Sequence, residues 1–392
     1  MTRHDTISEL SLSTAYSGQV TSLISAERLD RAQAATAASE LDALFITPGP
    51  DLRYLTGYDA LPLERLTCLV VPAHGEPTLI APRLEVPAAE AALGSQSHIS
   101  IRGWEETDDP FALASSLIAG SGVVGVADTM PAAKVFGFRE AMPNVRQVLA
   151  GGVMRKLRII KTPEEIRALR GAAEAIDRVH ARVPDWLRPG RSERDVGQDI
   201  AEAIGEEGHS TVDFVIVGSG PNGASPHHEL SDRVIEVGDP VVVDIGGTMP
   251  SGYCSDSTRT YCVGRPPRAF VDAYQRLQAA QQAAVEAVRP GVTAESVDAA
   301  ARRMLTEAGY DEYFIHRTGH GIGVETHEHP YIVTGNTEPL LPGMAFSVEP
   351  GVYFAGKFGA RIEDIVVVTD TGVESLNQSS HDLVVVDHSF SS

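Results

Sequence analysis

The chain has 392 residues, room for two to three domains with ample core, and carries 53 acidic against 32 basic residues for a net charge of −21. That balance argues against nucleic acid or an anionic membrane as the main partner. No apolar run is long enough to span a bilayer, so a cytoplasmic location is expected.

Residues 1–26 are polar, lack an apolar stretch of signal-peptide length and read as an extension. A first domain is expected over residues 27–155, where helix and strand signals alternate as in an α/β layer. A helix is expected over residues 27–40 and an apolar strand at Leu44-Phe45-Ile46. Residues 51–57 read as a loop and short helix, and residues 66–71 as a strand. This stretch holds no cluster of ligand-type side chains. The basic segment 155–161 then runs into Thr162-Pro163-Glu164-Glu165, a capping box with proline at the first helical position, which opens a second domain expected over residues 156–383. Residues 384–392 read as a short peripheral tail. Cys68, Cys254 and Cys262 are an odd set without paired metal spacing and are expected to be buried reduced thiols.

The second domain repeats itself. Arg188-Pro189-Gly190-Arg191-Ser192 returns as Arg289-Pro290-Gly291-Val292-Thr293, each ending in a hydroxyl residue able to cap the next helix. Pro266-Pro267 stands where Thr162-Pro163 stands in the first half. Ile166, Leu169, Ala173, Ile176 and Val179 recur at helical spacing, as do Phe270, Tyr274, Leu277, Ala284 and Val288, so each long helix has one face to bury. Gly238 leads in six residues to Asp244 and then to Asp256, and Gly343 leads in six to Glu349 and then to Glu363. Each half therefore reads as helix, helix, hairpin. The two halves should be related by a pseudo-twofold axis, with helices on one side of a mostly antiparallel sheet and the carboxylates on the other.

Four acids on two related hairpins repel one another in a shared pocket unless cations compensate them, and divalent metal does so most simply. Between the two pairs lies Gly319-His320-Gly321-Ile322-Gly323-Val324-Glu325-Thr326-His327-Glu328-His329-Pro330. His320 supplies an imidazole ligand among hard oxygens, with glycines that let the backbone come close. Asp244, Asp256, His320, Glu349 and Glu363 are too many ligands for one tetrahedral zinc and suit two ions sharing bridging carboxylates. Manganese is the first choice of metal, with cobalt, iron or zinc as alternatives.

Val243-Asp244-Ile245-Gly246, Ser255-Asp256-Ser257-Thr258-Arg259-Thr260, the Gly319 to Pro330 run, Val348-Glu349-Pro350-Gly351-Val352-Tyr353 and Arg361-Ile362-Glu363-Asp364 together resemble the pita-bread metallopeptidases, in particular the Xaa-Pro peptidases, prolidase and aminopeptidase P. The fold implied is a creatinase/prolidase-like α/β domain followed by a duplicated α+β catalytic domain. The resemblance further implies that Asp244 chelates one ion, that Asp256 and Glu363 bridge both, and that His320 and Glu349 complete the coordination of the other ion. His227, seventeen residues before Asp244, takes the place of a substrate-contacting histidine, and His327, seven after His320, that of the one binding the scissile carbonyl. Glu349 would shuttle the proton, and Arg361 would orient neighbouring carboxylates. His316 and Tyr353 could support substrate or ligands, or simply be satisfied packing groups. The implied reaction is metal-dependent hydrolysis of the bond between a residue and a following proline, by a homodimer whose N-terminal domain limits substrate length.

Two features depart from that pattern. The Asp244 to Asp256 interval is one residue longer than expected, which a hairpin tip can absorb. Tyr331, four residues after His327, stands where dipeptide-restricted prolidases place an arginine for the product carboxylate, so aminopeptidase and dipeptidase readings both stay open. The alternatives are a catalytically inactive pita-bread binding module, disfavoured because all five ligand candidates are present, and a metallo-aminopeptidase without proline preference, which would not ordinarily carry so large an N-terminal domain.

Overall fold

The computed structural model describes residues 26–94, 98–118 and 122–387. The extension expected over residues 1–26 lies outside them except for Ala26, as do residues 388–392. The chain forms two compact units that divide between Arg158 and Ile159.

The first unit runs α1 (Ala26–Ala38), β1 (Ala43–Ile46), α2 (Pro50–Thr56), β2 (Cys68–Pro72), β3 (Thr78–Pro82), α3 (Val86–Leu93), β4 (Ser100–Trp104), α4 (Pro110–Ser115), β5 (Gly122–Val126), α5 (Ala132–Ala141), β6 (Val145–Leu149) and α6 (Gly151–Arg158). Its six strands form one mixed sheet in the order β4-β3-β2-β1-β5-β6. β1, all four residues buried, lies near the centre, as an uninterrupted apolar run should. The three cysteines of the chain are free and buried.

The second unit shows the duplication. Its first half is α7 (Pro163–Trp186), α8 (Glu193–Glu206), β7 (Thr211–Ser219), β8 (Pro240–Thr248) and β9 (Ser257–Val263). Its second half is α9 (Arg268–Ala287), α10 (Ala294–Glu307), β10 (Gly319–Gly321), β11 (Glu328–Ile332), β12 (Ala345–Val348), β13 (Gly351–Phe354), β14 (Phe358–Arg361), β15 (Asp364–Val368) and β16 (Val373–Ser375), with β17 (Val384–Val386) closing the chain. The antiparallel run β7-β8-β9 is matched by β10-β12-β15. Each half thus carries a strand ahead of its hairpin that the helix, helix, hairpin reading omitted. The turn contacts repeat as well: Gly190 N–H donates to the Ile235 carbonyl at 3.0 Å and Gly291 N–H to that of Leu340 at 2.8 Å. Both glycines have positive φ, 91° and 84°, where a side chain would be strained, which is why this residue persists in both copies.

Capping differs between the halves. Thr162 and Ser192 each form a full capping box, with Glu165 and Asp195 as the reciprocal partners. Thr293 occupies the matching position yet makes no side-chain cap: the Ser296 N–H that its hydroxyl would accept from donates instead to the Thr293 carbonyl at 3.0 Å, and Ser296 has no carboxylate to return the bond. Thr162→Ala is accordingly expected to lower unfolding free energy by about 1 kcal/mol in urea titrations.

Helices α7 and α8 pack on β7–β9 through Ile176, Val179, Val196, Ile200, Val241, Val243 and Ile245, and α9 and α10 pack on the second sheet through Phe270, Leu277, Val297, Phe346 and Val348. Ile166, at the start of the predicted stripe, is only half-buried. The pairing of β8 with β9 keeps one register from Pro240↔Cys262 to Ile245↔Ser257, so the hairpin tip beyond Thr248 carries any added residue. The tail expected over residues 384–392 is peripheral but begins as an edge strand: three consecutive valines, suited to a strand, pair in parallel with β9 and make it an inner strand of its sheet.

Candidate metal centre

The alternation of side chains along each strand puts the acids on the face away from the helices. On β8, Val241, Val243 and Ile245 enter the core, so Asp244 between them faces a cleft. On β12, Phe346 and Val348 enter the core, and Ser347 and Glu349 face the other way. Asp256 and Glu363 directly precede β9 and β15, and the two hairpins meet there: the Glu363 amide donates to the Thr258 carbonyl at 3.1 Å. Asp244, Asp256 and Glu363 are buried.

His320 sits in the middle of β10. A Cβ on the preceding Gly319 would lie 1.8 Å from the Ser347 carbonyl oxygen, so only glycine lets β10 come this close to β12. The His320 amide donates to Ser347 Oγ at 3.0 Å, and that hydroxyl donates to Glu349 Oε1, also at 3.0 Å. His320 Nδ1 lies 3.1 Å from the Gly321 carbonyl, which can only accept, so this nitrogen carries the proton. The ring's Nε2 faces Glu349 Oε1, 3.1 Å away, and Asp256 Oδ2, 3.6 Å away. A ring nitrogen and two carboxylate oxygens at that range need a proton or a metal cation between them.

Two further observations fit a cation. Asp256, His320 and Glu363 each bring one ligand atom within 4.8 Å of the other two. Asp244 Oδ2 accepts from Arg361 Nη2, while its Oδ1 is buried without a hydrogen-bond partner, an expensive state for a carboxylate oxygen. Burial and then the charges of Glu363, Asp244 and Glu349 push the Asp256 carboxyl well above its ordinary range. Burial and then Glu349 and Asp244 do the same to Glu363. Glu349 goes the other way: burial would raise it, but the hydrogen bond and charge of His320 bring it down to about 2. Carboxylates this crowded need more positive charge than Arg361 alone provides, and the donor set of hard oxygens plus one imidazole suits divalent ions.

A continuous chain of hydrogen bonds leads away from Asp244. Arg361 also donates to Thr258 Oγ1 at 3.0 Å, to Tyr353 Oη at 2.7 Å and to the Pro226 carbonyl at 3.3 Å. The Tyr353 hydroxyl reaches His316 Nε2 at 2.9 Å, and His316 Nδ1 donates to the Arg317 carbonyl at 2.7 Å. Burial lowers His316 and raises Tyr353 to about 12, so the ring is neutral and the phenol protonated, and the phenol donates to the ring.

The cleft has a volume of about 860 Å³. Of the sequence-selected residues, His227, Asp244, Asp256, His316, His320, His327, Glu349, Arg361 and Glu363 line it, and Tyr353 touches two of them from behind. His327 stacks edge-on against His320 with ring centroids 4.0 Å apart. Burial, then His320 and Arg317, push it down to about 4, so it is a neutral ring with one N–H to offer. His228 turns away to a buried carboxylate, and His329 packs against Tyr331.

Sequence reasoning missed several residues that the fold adds. Thr258, whose hydroxyl donates to Glu363 Oε2 at 2.7 Å, and Ser347 each lie two positions from a carboxylate ligand candidate, so the period-two rule applied to Asp256 and Glu349 would have found both. Phe214, Ile216 and Ile315 form apolar walls. Arg317 also lines the cleft, its guanidinium 4.5 Å from the Tyr331 ring centroid. No local pattern marks these four, because distant chain segments bring them together.

Comparison with known proteins agrees in order and extent. Residues 167–370 match metallopeptidase family M24, and residues 28–160 match the creatinase/prolidase N-terminal domain. The probable dipeptidase PepE of Mycobacterium tuberculosis (strain ATCC 25618 / H37Rv) is 56% identical over 362 residues, covering 92% of this chain and 96% of that protein. The Xaa-Pro dipeptidase of Lactobacillus helveticus is 36% identical over 374 residues, covering 91% and 98%. The crystal structure of dipeptidase PepE from Mycobacterium ulcerans superposes with a TM-score of 0.88 at 56% identity, over 92% of this chain and 97% of that one.

Proposed function

Because the chain belongs to metallopeptidase family M24 and has its pita-bread fold, we propose that it hydrolyses the bond between an amino-terminal residue and proline, with dipeptides as its preferred substrates. The observation that carries this reading is the convergence of five ligand candidates, three further imidazoles and two guanidinium groups on a single cleft. Asp244, Asp256, His320, Glu349 and Glu363 would hold two divalent ions, manganese foremost, which when bound supply Lewis acidity toward water and the peptide carbonyl.

The protein's own groups do the rest. Glu349, ionised and held by Ser347, accepts a proton from the attacking water. It then passes that proton to the leaving proline nitrogen. The N–H groups of His327 and His227 face the cleft and stabilise the negative charge that develops on the carbonyl oxygen. Phe214 and Ile216 give an apolar wall against which a pyrrolidine ring can rest. A bond to proline has no N–H, so such a wall leaves no donor unsatisfied.

Arg317 supports the preference for dipeptides. Among the described residues it makes no ion pair, and its guanidinium lies over one face of Tyr331. A planar cation held in that way on the cleft wall is suited to the free carboxylate of a dipeptide's proline. It supplies from a different chain position the charge that Tyr331 cannot. Arg317→Ala is expected to reduce kcat/KM for Xaa-Pro dipeptides roughly tenfold to a hundredfold, the worth of one charge-assisted contact, and to spare the corresponding Xaa-Pro amides. Equal losses on both substrates would remove the carboxylate role. Better cleavage of long Xaa-Pro peptides than of dipeptides would favour the aminopeptidase reading.

A further inference from the structure

His227 lies on a stretch with no regular structure. Between the 3-10 turn Gly220–Ala224 and the start of β8 no strand or helix intervenes, and the backbone hydrogen bonds that tie residues 231–235 to residues 190–194 do not reach His227 itself. Side chains hold it. His227 faces the cleft, and the next residue, His228, faces the opposite way, its Nε2 2.7 Å from Glu193 Oε2.

Glu193 is the first residue of α8 and is fully buried. Besides His228 it accepts from the Ser219 amide and hydroxyl at 2.7 Å each, from Asn222 Nδ2 at 3.1 and 3.0 Å, and from the Ser231 hydroxyl. The bonded residues bracket His227 on both sides: Ser219 and Asn222 precede it, and His228 and Ser231 follow it. Two lesser anchors lie nearby, Arg361 on the Pro226 carbonyl and Leu230 against Gly197.

The duplication offers an internal control. The turn contacts that align Ser192 with Thr293 also align Glu193 with Ala294: Glu193 N–H donates to the Arg233 carbonyl and Ala294 N–H to that of Glu338, both at 3.0 Å. The same helix start is thus built with alanine in the second half, so nothing in its backbone geometry calls for a buried carboxylate. The matching stretch of the second half, residues 333–344, docks through the same backbone contacts but contains no histidine.

We infer that Glu193 is a positioning residue for His227, fixing the imidazole in the cleft by binding the loop from behind through His228, Ser231, Asn222 and Ser219. The inference rests on the proposed role of His227 as a donor to the substrate carbonyl. A neutral glutamine in its place would turn an N–H₂ toward donors and could not satisfy them all.

The test uses the full-length, metal-replete protein with His228→Leu and Glu193→Gln, each alone and combined with His227→Ala. Amide exchange in residues 225–232 should speed up tenfold or more, while β8 and β9 keep their protection. The kcat/KM for Xaa-Pro dipeptides should fall roughly tenfold in the single variants, yet less than twofold when added to His227→Ala, because the tether then has nothing to position. An equal loss in both backgrounds would reduce Glu193 to general stability, and unchanged exchange would refute the tether itself. Should Glu193→Gln fail to fold, His228→Leu decides alone. If the wild type cleaves no Xaa-Pro substrate, the functional reading fails, and exchange still decides whether Glu193 holds the loop.

Discussion

His320→Ala is expected to lose both bound metal and turnover, whereas His327→Ala should keep its metal and lose about a hundredfold or more in kcat. The two rings touch, with centroids 4.0 Å apart, and differ only seven positions in sequence, so the contrast turns on what each nitrogen faces. His320 Nε2 looks into the carboxylates Glu349 and Asp256, and removing it leaves those acids without the one imidazole that fits between them. His327 makes no ion pair with the acids and is kept neutral by burial and by its cationic neighbours. Its N–H is free for the substrate oxygen. Loss of a single oxyanion donor typically costs two to three orders of magnitude. Metal content by elemental analysis, read beside kcat and KM on Xaa-Pro dipeptides, separates the two. A His327 variant that remains fully active, or a His320 variant that binds metal as the wild type does, would remove the division of roles.

The parts of this site that were legible in the sequence are those set by local chemistry and repetition. A carboxylate six residues beyond a turn glycine and a second one beyond the next turn, in both copies of the repeat, identified Asp244, Asp256, Glu349 and Glu363. The capping box at Thr162 and the N-cap at Ser192 were legible because such signals are complete within four residues. Thr293 has the hydroxyl but not the partner, and pattern alone overestimated it. The remainder depends on contacts between distant segments. Arg317 meets Tyr331 only once β10 and β11 pair, and Val384–Val386 become a strand only because β9 offers a free edge. Glu193 looked like an ordinary first-turn acid at a helix start. Its burial comes from a loop some thirty residues later that folds back over it.

A second buried pair lies behind His327, and breaking it should cost more stability than any change at the surface. Lys161 Nζ is 2.6 Å from Glu328 Oε1, with side chains 2% and 7% exposed. Glu328 directly follows His327, and its carboxylate packs so close to Gly323 that a Cβ there would come within 2.7 Å of it. The Lys161 amide donates to the Gly343 carbonyl at 2.8 Å, tying the pair to the turn that leads into β12 and Glu349. Lys161→Met removes the charge but little volume, taking from the buried Glu328 carboxylate the ammonium 2.6 Å away. The expected loss is about 3–5 kcal/mol. Pairing it with Glu328→Leu should recover most of that, since two apolar groups of similar size leave no buried charge behind. Because the chain has two compact units, unfolding is best followed through amide exchange in β11 and β12 rather than by one global signal. Lys161→Met should also lower kcat, since the strand that carries Glu328 begins at the residue after His327, whereas the double variant should regain stability more fully than activity. Wild-type protection of β11 in Lys161→Met would show that the ammonium is dispensable and that packing alone holds this side of the cleft.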